Sequence, residues 1–285
     1  MKHVSRYFLF LLLAAITGLQ SSPDKSIREF WFSGAEINRY ELKQPLYGNQ
    51  YTGSAEFIFV TEPFLPDLQV KRDFGSDPAV DVLKLNATRS FNTGIYTYRT
   101  MTSTFHPVKD YEAKATLKTA MSVQDWCGQT YTQVNRRSRD LEVEVRSYFQ
   151  AKGDQDVALR DVWVEDGLWI LARLDPNKLP TGEFRSLPGT VALRLRHYPV
   201  DAEPAIGFLR VEGESLVYEV EYPGLGRTLS MTLDRAFPHI IRAWSEKDGE
   251  AQTTGRLTHR LMNVSYWDLN KPSDAQKRLD LGLLP

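Results

Sequence analysis

The chain has 285 residues, 42% of them hydrophobic and 25% charged, a balance that argues against both a disordered chain and a membrane-embedded body. Its formal charge is -1, and losing Lys2 and Arg6 with a leader leaves about 33 basic residues against 36 acidic ones, which is no electrostatic footprint for nucleic acid. A single cysteine, Cys127, excludes an intramolecular disulfide and the usual cysteine-based zinc motifs.

Lys2, His3 and Arg6 precede the apolar run from Tyr7 to Ile16, and polar Gln20, Ser21 and Ser22 follow it. This is the three-part layout of a secretory signal peptide over residues 1–22. The run is about half the 20 apolar residues a spanning helix needs, so cleavage is expected and no transmembrane span remains. Leu19 stands where a lipoprotein box would carry a cysteine, so the exported chain is expected in the periplasm or outside the cell without a lipid anchor.

Residues 23–285 read as a single β-rich domain, because short apolar stretches alternate with Gly, Pro, Asn and Asp throughout. Phe57 to Val60 is a continuous apolar run that predicts a strand buried on both faces. Glu112 to Val123 alternates, with Thr119, Met121 and Val123 on one face and Lys114, Thr116 and Lys118 on the other. Leu141, Val143 and Val145 do the same, and Arg137 to Asp140 turns that strand back on the 130–136 segment as a hairpin. Further alternation appears at Val191 to His197, Leu216 to Glu221, Leu229 to Leu233 and Leu257 to Asn263.

One helix is predicted, from Glu165 to Leu174, with acidic residues at its start, Leu168, Trp169 and Leu171 on its apolar side, and Asp175-Pro176 as its stop. The loop region 175–188 is the best point for any subdivision. The expected fold class is therefore all-β, mainly antiparallel, a curved sheet or barrel-like body with a short helix near 165–174.

The leader, the Ala55 to Thr61 strand, Phe91-Asn92-Thr93-Gly94-Ile95-Tyr96, Asp125-Trp126-Cys127-Gly128-Gln129 and Asp166-Gly167-Leu168-Trp169 together resemble a family of uncharacterised exported β-rich proteins from Bacteroidota-type bacteria. Members are sometimes labelled septum formation inhibitor Maf. Maf enzymes open with a Ser-x-Ser-Pro-Arg-Arg type motif, whereas here Ser21-Ser22-Pro23 is followed by Asp24 and Lys25, so the label does not carry over. The second half, ending in Phe237-Pro238-His239-Ile240-Ile241-Arg242-Ala243-Trp244, is similar to exported β-barrel domains of unknown function and, through them, to lipoprotein-carrier half-barrels. That likeness implies a barrel fold and nothing about chemistry.

No phosphate-binding glycine loop, His-Glu-x-x-His or Gly-x-Ser-x-Gly motif occurs. Two stretches concentrate aromatic and polar groups. Alternation from Phe91 to His106 puts Tyr96, Tyr98 and Thr100 on one face, a surface for a glycan or amphipathic ligand, although Thr and Tyr also favour strands for their own sake. Residues 122–137 add Trp126, Cys127, Gln129, Tyr131 and Arg136 around the bend at Gly128. The candidate ligand contacts are Tyr96, Tyr98, Arg99, His106, Trp126, Cys127, Gln129, Tyr131 and Arg136. No catalytic or metal-ligating residue and no cofactor is assigned.

Three functions stay open. The leading one is a non-catalytic envelope protein that binds or carries an amphipathic small molecule, lipid or glycan in a barrel cavity. The second is a hydrolase or transferase acting on envelope glycan or lipid, with Cys127 as a nucleophile beside a base such as His106. The third is a structural or assembly partner, which a filled interior would favour and which predicts an exposed apolar patch.

Overall fold

The structure, a computed structural model, describes residues 29–109 and 114–283. The expected signal peptide with Leu19, and residues 112 and 113 of the alternating stretch, lie outside the described residues.

The strands in chain order are β1 (Ala35–Leu46), β2 (Asn49–Leu65), β3 (Val70–Lys71), β4 (Val80–Thr93), β5 (Tyr96–Pro107), β6 (Lys118–Asp125), β7 (Gly128–Arg137) and β8 (Asp140–Ser147). They continue as β9 (Gln155–Arg160), β10 (Trp163–Val164), β11 (Gly182–Leu187), β12 (Glu203–Glu212), β13 (Ser215–Tyr222), β14 (Arg227–Asp234), β15 (Ile241–Asp248) and β16 (Ala251–Val264). All belong to one 16-stranded sheet. From β1 the path runs one way through β2, β4, β5, β6, β7 and β8 to β9, and the other way through β16, β15, β14, β13, β12 and β11 to β10. Every neighbouring pair is antiparallel except β10 with β11.

The two ends of that path, β9 and β10, are consecutive in the chain, so the sheet curls until its edges approach each other. Side chains seal the seam. Leu159 of β9, Val164 of β10 and Leu187 of β11 share one buried cluster with Leu141 and Val143 of β8. The result is a barrel-like all-β body, as the alternating pattern predicts. Phe57 and Phe59 of β2 are buried on one face, and on the other Val60 is buried and Ile58 half-buried, so the run is covered on both faces, less completely on the second.

The curl has a helical occupant. All ten residues of the core helix, Glu165–Leu174, are buried. Trp169 stands edge-on to Phe57 (5.4 Å) and to Trp244 of β15 (5.7 Å). Gly167 brings the helix backbone against Thr116, where a Cβ would overlap the Thr116 hydroxyl. Two bidentate ion pairs hold the helix ends. Glu165 accepts from both guanidinium nitrogens of Arg227 on β14 at 2.5 and 2.7 Å, and Arg173 donates to Glu36 of β1 at 2.7 and 2.8 Å. The signs also suit the helix dipole, acid at the start and base in the last turn.

Two expectations are corrected here. Residues 191–197 are not a strand: Thr190–Leu195 is a short helix, with the Leu193 N–H donating to the Gly189 carbonyl and Arg196 to Ala192. Pro188-Gly189 breaks the chain before it, and a five-residue Val-x-Leu-x-Leu run fits a buried helical turn as well as a strand. The space expected for a ligand inside the barrel is occupied, among the described residues, by the core helix and the rings packed on it. Between the core helix and β4 to β5 lies a void of about 30 Å³ lined by Thr102, Thr104, Arg89 and Asp166, room for little more than water.

Candidate functional site

With the interior filled, the most distinctive surface is one rim of the barrel, where four adjacent hairpin tips carry aromatic rings. The β1–β2 tip pairs Leu46 with Asn49 across Tyr47-Gly48, both with positive φ (51° and 73°). That is the geometry of a type I′ hairpin, whose first central position favours Asn or Gly; a tyrosine there costs roughly 1 kcal/mol. The β4–β5 tip turns through Gly94 (φ 67°) and presents Ile95, and the β6–β7 tip presents Trp126 and Cys127. Gly128 lies against the ring of Tyr148, which joins the β8–β9 connection to the row.

The rings form a connected series. Tyr51 stacks on Phe91, Phe91 stacks on Tyr98 at 5.4 Å and 6°, Tyr98 approaches Tyr96 at 5.8 Å, and Tyr96 approaches Trp126 at 6.3 Å. Tyr47 closes over Tyr98 through a hydroxyl–hydroxyl hydrogen bond. Tyr148 and Phe149 follow with centroids 4.1 Å apart, and the Arg194 guanidinium lies 4.9 Å from the Phe149 ring centre. The outermost members face solvent: Ile95 is 85% exposed, Trp126 72% and Tyr47 61%.

Asp125 belongs to this rim. Its carboxylate accepts the Cys127 N–H at 2.5 Å. It pushes the Cys127 thiol up, away from the thiolate a nucleophile needs. Burial raises the Tyr98 phenol as well, with the Tyr47 hydrogen bond and Asp125 adding to the effect. The rim therefore combines ring faces, hydroxyls and one carboxylate.

The nine residues singled out in the sequence separate into three places. Tyr96, Tyr98, Trp126 and Cys127 meet at the rim. Arg99 and Gln129 both pair with Gln124 and lie on the outer sheet face, as does Tyr131, whose hydroxyl donates to Gln133. His106 and Arg136 lie towards the opposite end. His106 is eight residues beyond Tyr98, about 26 Å along the strand, so it does not meet Cys127. Burial, reinforced by Arg136, lowers the His106 imidazole to about 3. Tyr47, Ile95, Asp125, Tyr148 and Phe149 were not foreseen. Tyr-Gly-Asn and Thr-Gly-Ile are turn signals that place their neighbours on hairpin tips, but nothing in a single sequence aligns four tips.

The opposite end holds an open groove of about 870 Å³ lined by Lys114, Arg136, Arg137, Arg139 and Asp161. Its cations are largely engaged by the protein. Lys114 pairs with Asp161 at 2.6 Å, Arg136 donates to the carbonyls of Thr116 and Val162, and Arg137 donates to that of Asp67. Among the described residues no cluster of His, Cys, Asp and Glu could hold a metal ion, and no helix is long and apolar enough to cross a membrane.

No family model matches the chain, and no curated protein matches it. Among solved structures it is similar to the beta-barrel-like protein of domain of unknown function DUF1849 from Brucella abortus. The identity is 10% and the TM-score 0.46, over 82% of this chain and 99% of that one.

Proposed function

We propose that this is an exported, non-catalytic binding protein whose single β-rich body takes an amphipathic or glycan ligand on the aromatic rim. The observation that carries this reading is the convergence of Tyr47, Tyr96, Tyr98 and Trp126 from three neighbouring hairpins at a solvent-facing edge. A filled interior argues against a carrier that holds its cargo inside the barrel. Export rests on the leader, and the likeness to exported proteins of Bacteroidota-type bacteria belongs to the same proposal. Hydrolase or transferase chemistry at Cys127 is disfavoured by the Asp125 carboxylate beside the thiol and by the distance to His106.

The test uses octyl glucoside below its micelle concentration as amphiphile and a soluble oligosaccharide as glycan. Affinity is read by isothermal titration calorimetry, and the place of binding by the Trp126 indole N–H resonance, assigned through Trp126→Phe. Binding should shift that resonance, and Trp126→Ala should weaken it about tenfold, the usual effect of removing an aromatic anchor. Binding that is unchanged in Trp126→Ala would move the ligand elsewhere and remove the rim from the proposal.

A further inference from the structure

Resting on that reading, we infer that the rim selects an amphiphile with an alkylammonium head, seated over the Tyr96 and Trp126 faces beside Asp125, its apolar part reaching Ile95. Several observations point the same way. Tyr96 and Trp126 are tilted by 34° with centroids 6.3 Å apart, and Tyr96 and Tyr98 by 43° at 5.8 Å. Such faces carry the negative part of the ring quadrupole and attract a cation lying within about 6 Å of a centroid.

Asp125 adds a full negative charge to the same spot, half-buried and on the inner-face side of the β6 end, as Tyr96 and Tyr98 are on β5. Arg99, the nearest cation in register, pairs with Gln124 and so lies on the opposite face of the sheet. At the far end of the rim Arg194 already places a guanidinium over Phe149, so ring faces at this edge do accept cations. An anionic head would meet both the quadrupole and the carboxylate with the wrong sign. A neutral sugar could stack here but would gain nothing from the charge of Asp125. Ile95, the most exposed large apolar side chain of the rim, supplies the apolar contact that a bare ammonium would leave unused.

The test compares choline with 3,3-dimethylbutan-1-ol, its uncharged isostere, and both with dodecyltrimethylammonium below its micelle concentration, again through the Trp126 indole resonance. Choline should bind at least about tenfold more tightly than the isostere, and the dodecyl compound more tightly still. Asp125→Asn keeps an acceptor for the Cys127 N–H and should remove most of the preference for choline, while Ile95→Ser should remove most of the gain from the tail. Equal binding of choline and its isostere would overturn the ammonium inference, yet leave the rim reading standing if octyl glucoside or the oligosaccharide still binds. If none of the probes shifts Trp126, the rim reading falls with it.

Discussion

Single residues in this protein are most informative where their chemistry conflicts with their position. Asp166 is buried at the start of the core helix beside Glu165, and burial, reinforced by the Glu165 charge, pushes its carboxyl up to about 7 from 3.8. Thr190 offsets this in part, its N–H donating to the carboxyl at 3.1 Å and its side chain adding to the effect. A carboxyl held above its unfolded value favours the fold below pH 3.8, and that contribution is lost as pH rises through about 7. Asp166→Asn keeps an acceptor for Thr190, so it should stabilise the protein by a few kcal/mol at pH 8, with the difference vanishing near pH 4 in paired melts. Tyr47 is the opposite case, strained and exposed. Tyr47→Asn should raise stability or leave it unchanged, because Asn tolerates the left-handed conformation, while weakening ligand binding at the rim. A substantial loss of stability would show that Tyr47 serves packing instead. The sequence displayed Glu165 and Asp166 as ordinary helix-start acids. Their environment depends on Arg227, which is 62 residues away and is brought near only by sheet pairing.

At the scale of elements, the core helix was legible to the residue, since its acidic start, apolar side and Asp-Pro stop are all local signals. Its setting was not. A mixture of apolar and charged residues suggests an amphipathic surface helix, and here Glu165 and Arg173 are buried because each has an ion-pair partner on the wall. Glu36 shows the balance: burial alone would raise its carboxyl, but Arg173 holds it down to about 2. That group favours the fold above its unfolded value of 4.5, and the contribution is lost as pH falls towards 2. Arg173→Ala would leave the buried Glu36 carboxylate with Arg260, at 3.1 Å, in place of its bidentate partner, and should cost about 3 kcal/mol in denaturant unfolding at pH 7. Glu36→Gln combined with Arg173→Met should recover a large part of that loss. A double variant as unstable as the single one would mean that the Arg173 stacking on Phe59 and Trp31 outweighs the ion pair. The short helix at 190–195 differs from its expected strand for the converse reason: its local apolar pattern fits two structures, and its Arg194 is held to Thr130 on the wall by a contact that no local signal shows.

For the molecule as a whole, strand periodicity disclosed an antiparallel all-β body, and the turn residues disclosed most hairpins. The order of strands mostly follows those hairpins, away from β1 on one side and away from β16 on the other, whereas the ladder between β1 and β16 joins the first strand to the last and no local turn signal announces it. The closing contact was invisible, because Leu159 and Leu187 meet through the seam without a hydrogen-bonded ladder between them. The same meeting makes a prediction about cooperativity. Leu187 is fully buried, so Leu187→Ala should cost about 2–5 kcal/mol. If the seam joins the two ends of the sheet, the loss should appear in hydrogen exchange at β8 and β9 as well as at β11 and β12, although some 25 to 70 residues of chain separate them. The strands near β1, paired on both sides at the centre of the path, should keep their protection. Acceleration confined to β11 and β12 would mean that the two edges abut without supporting each other, and that the curl is held by the core helix and its two ion pairs alone.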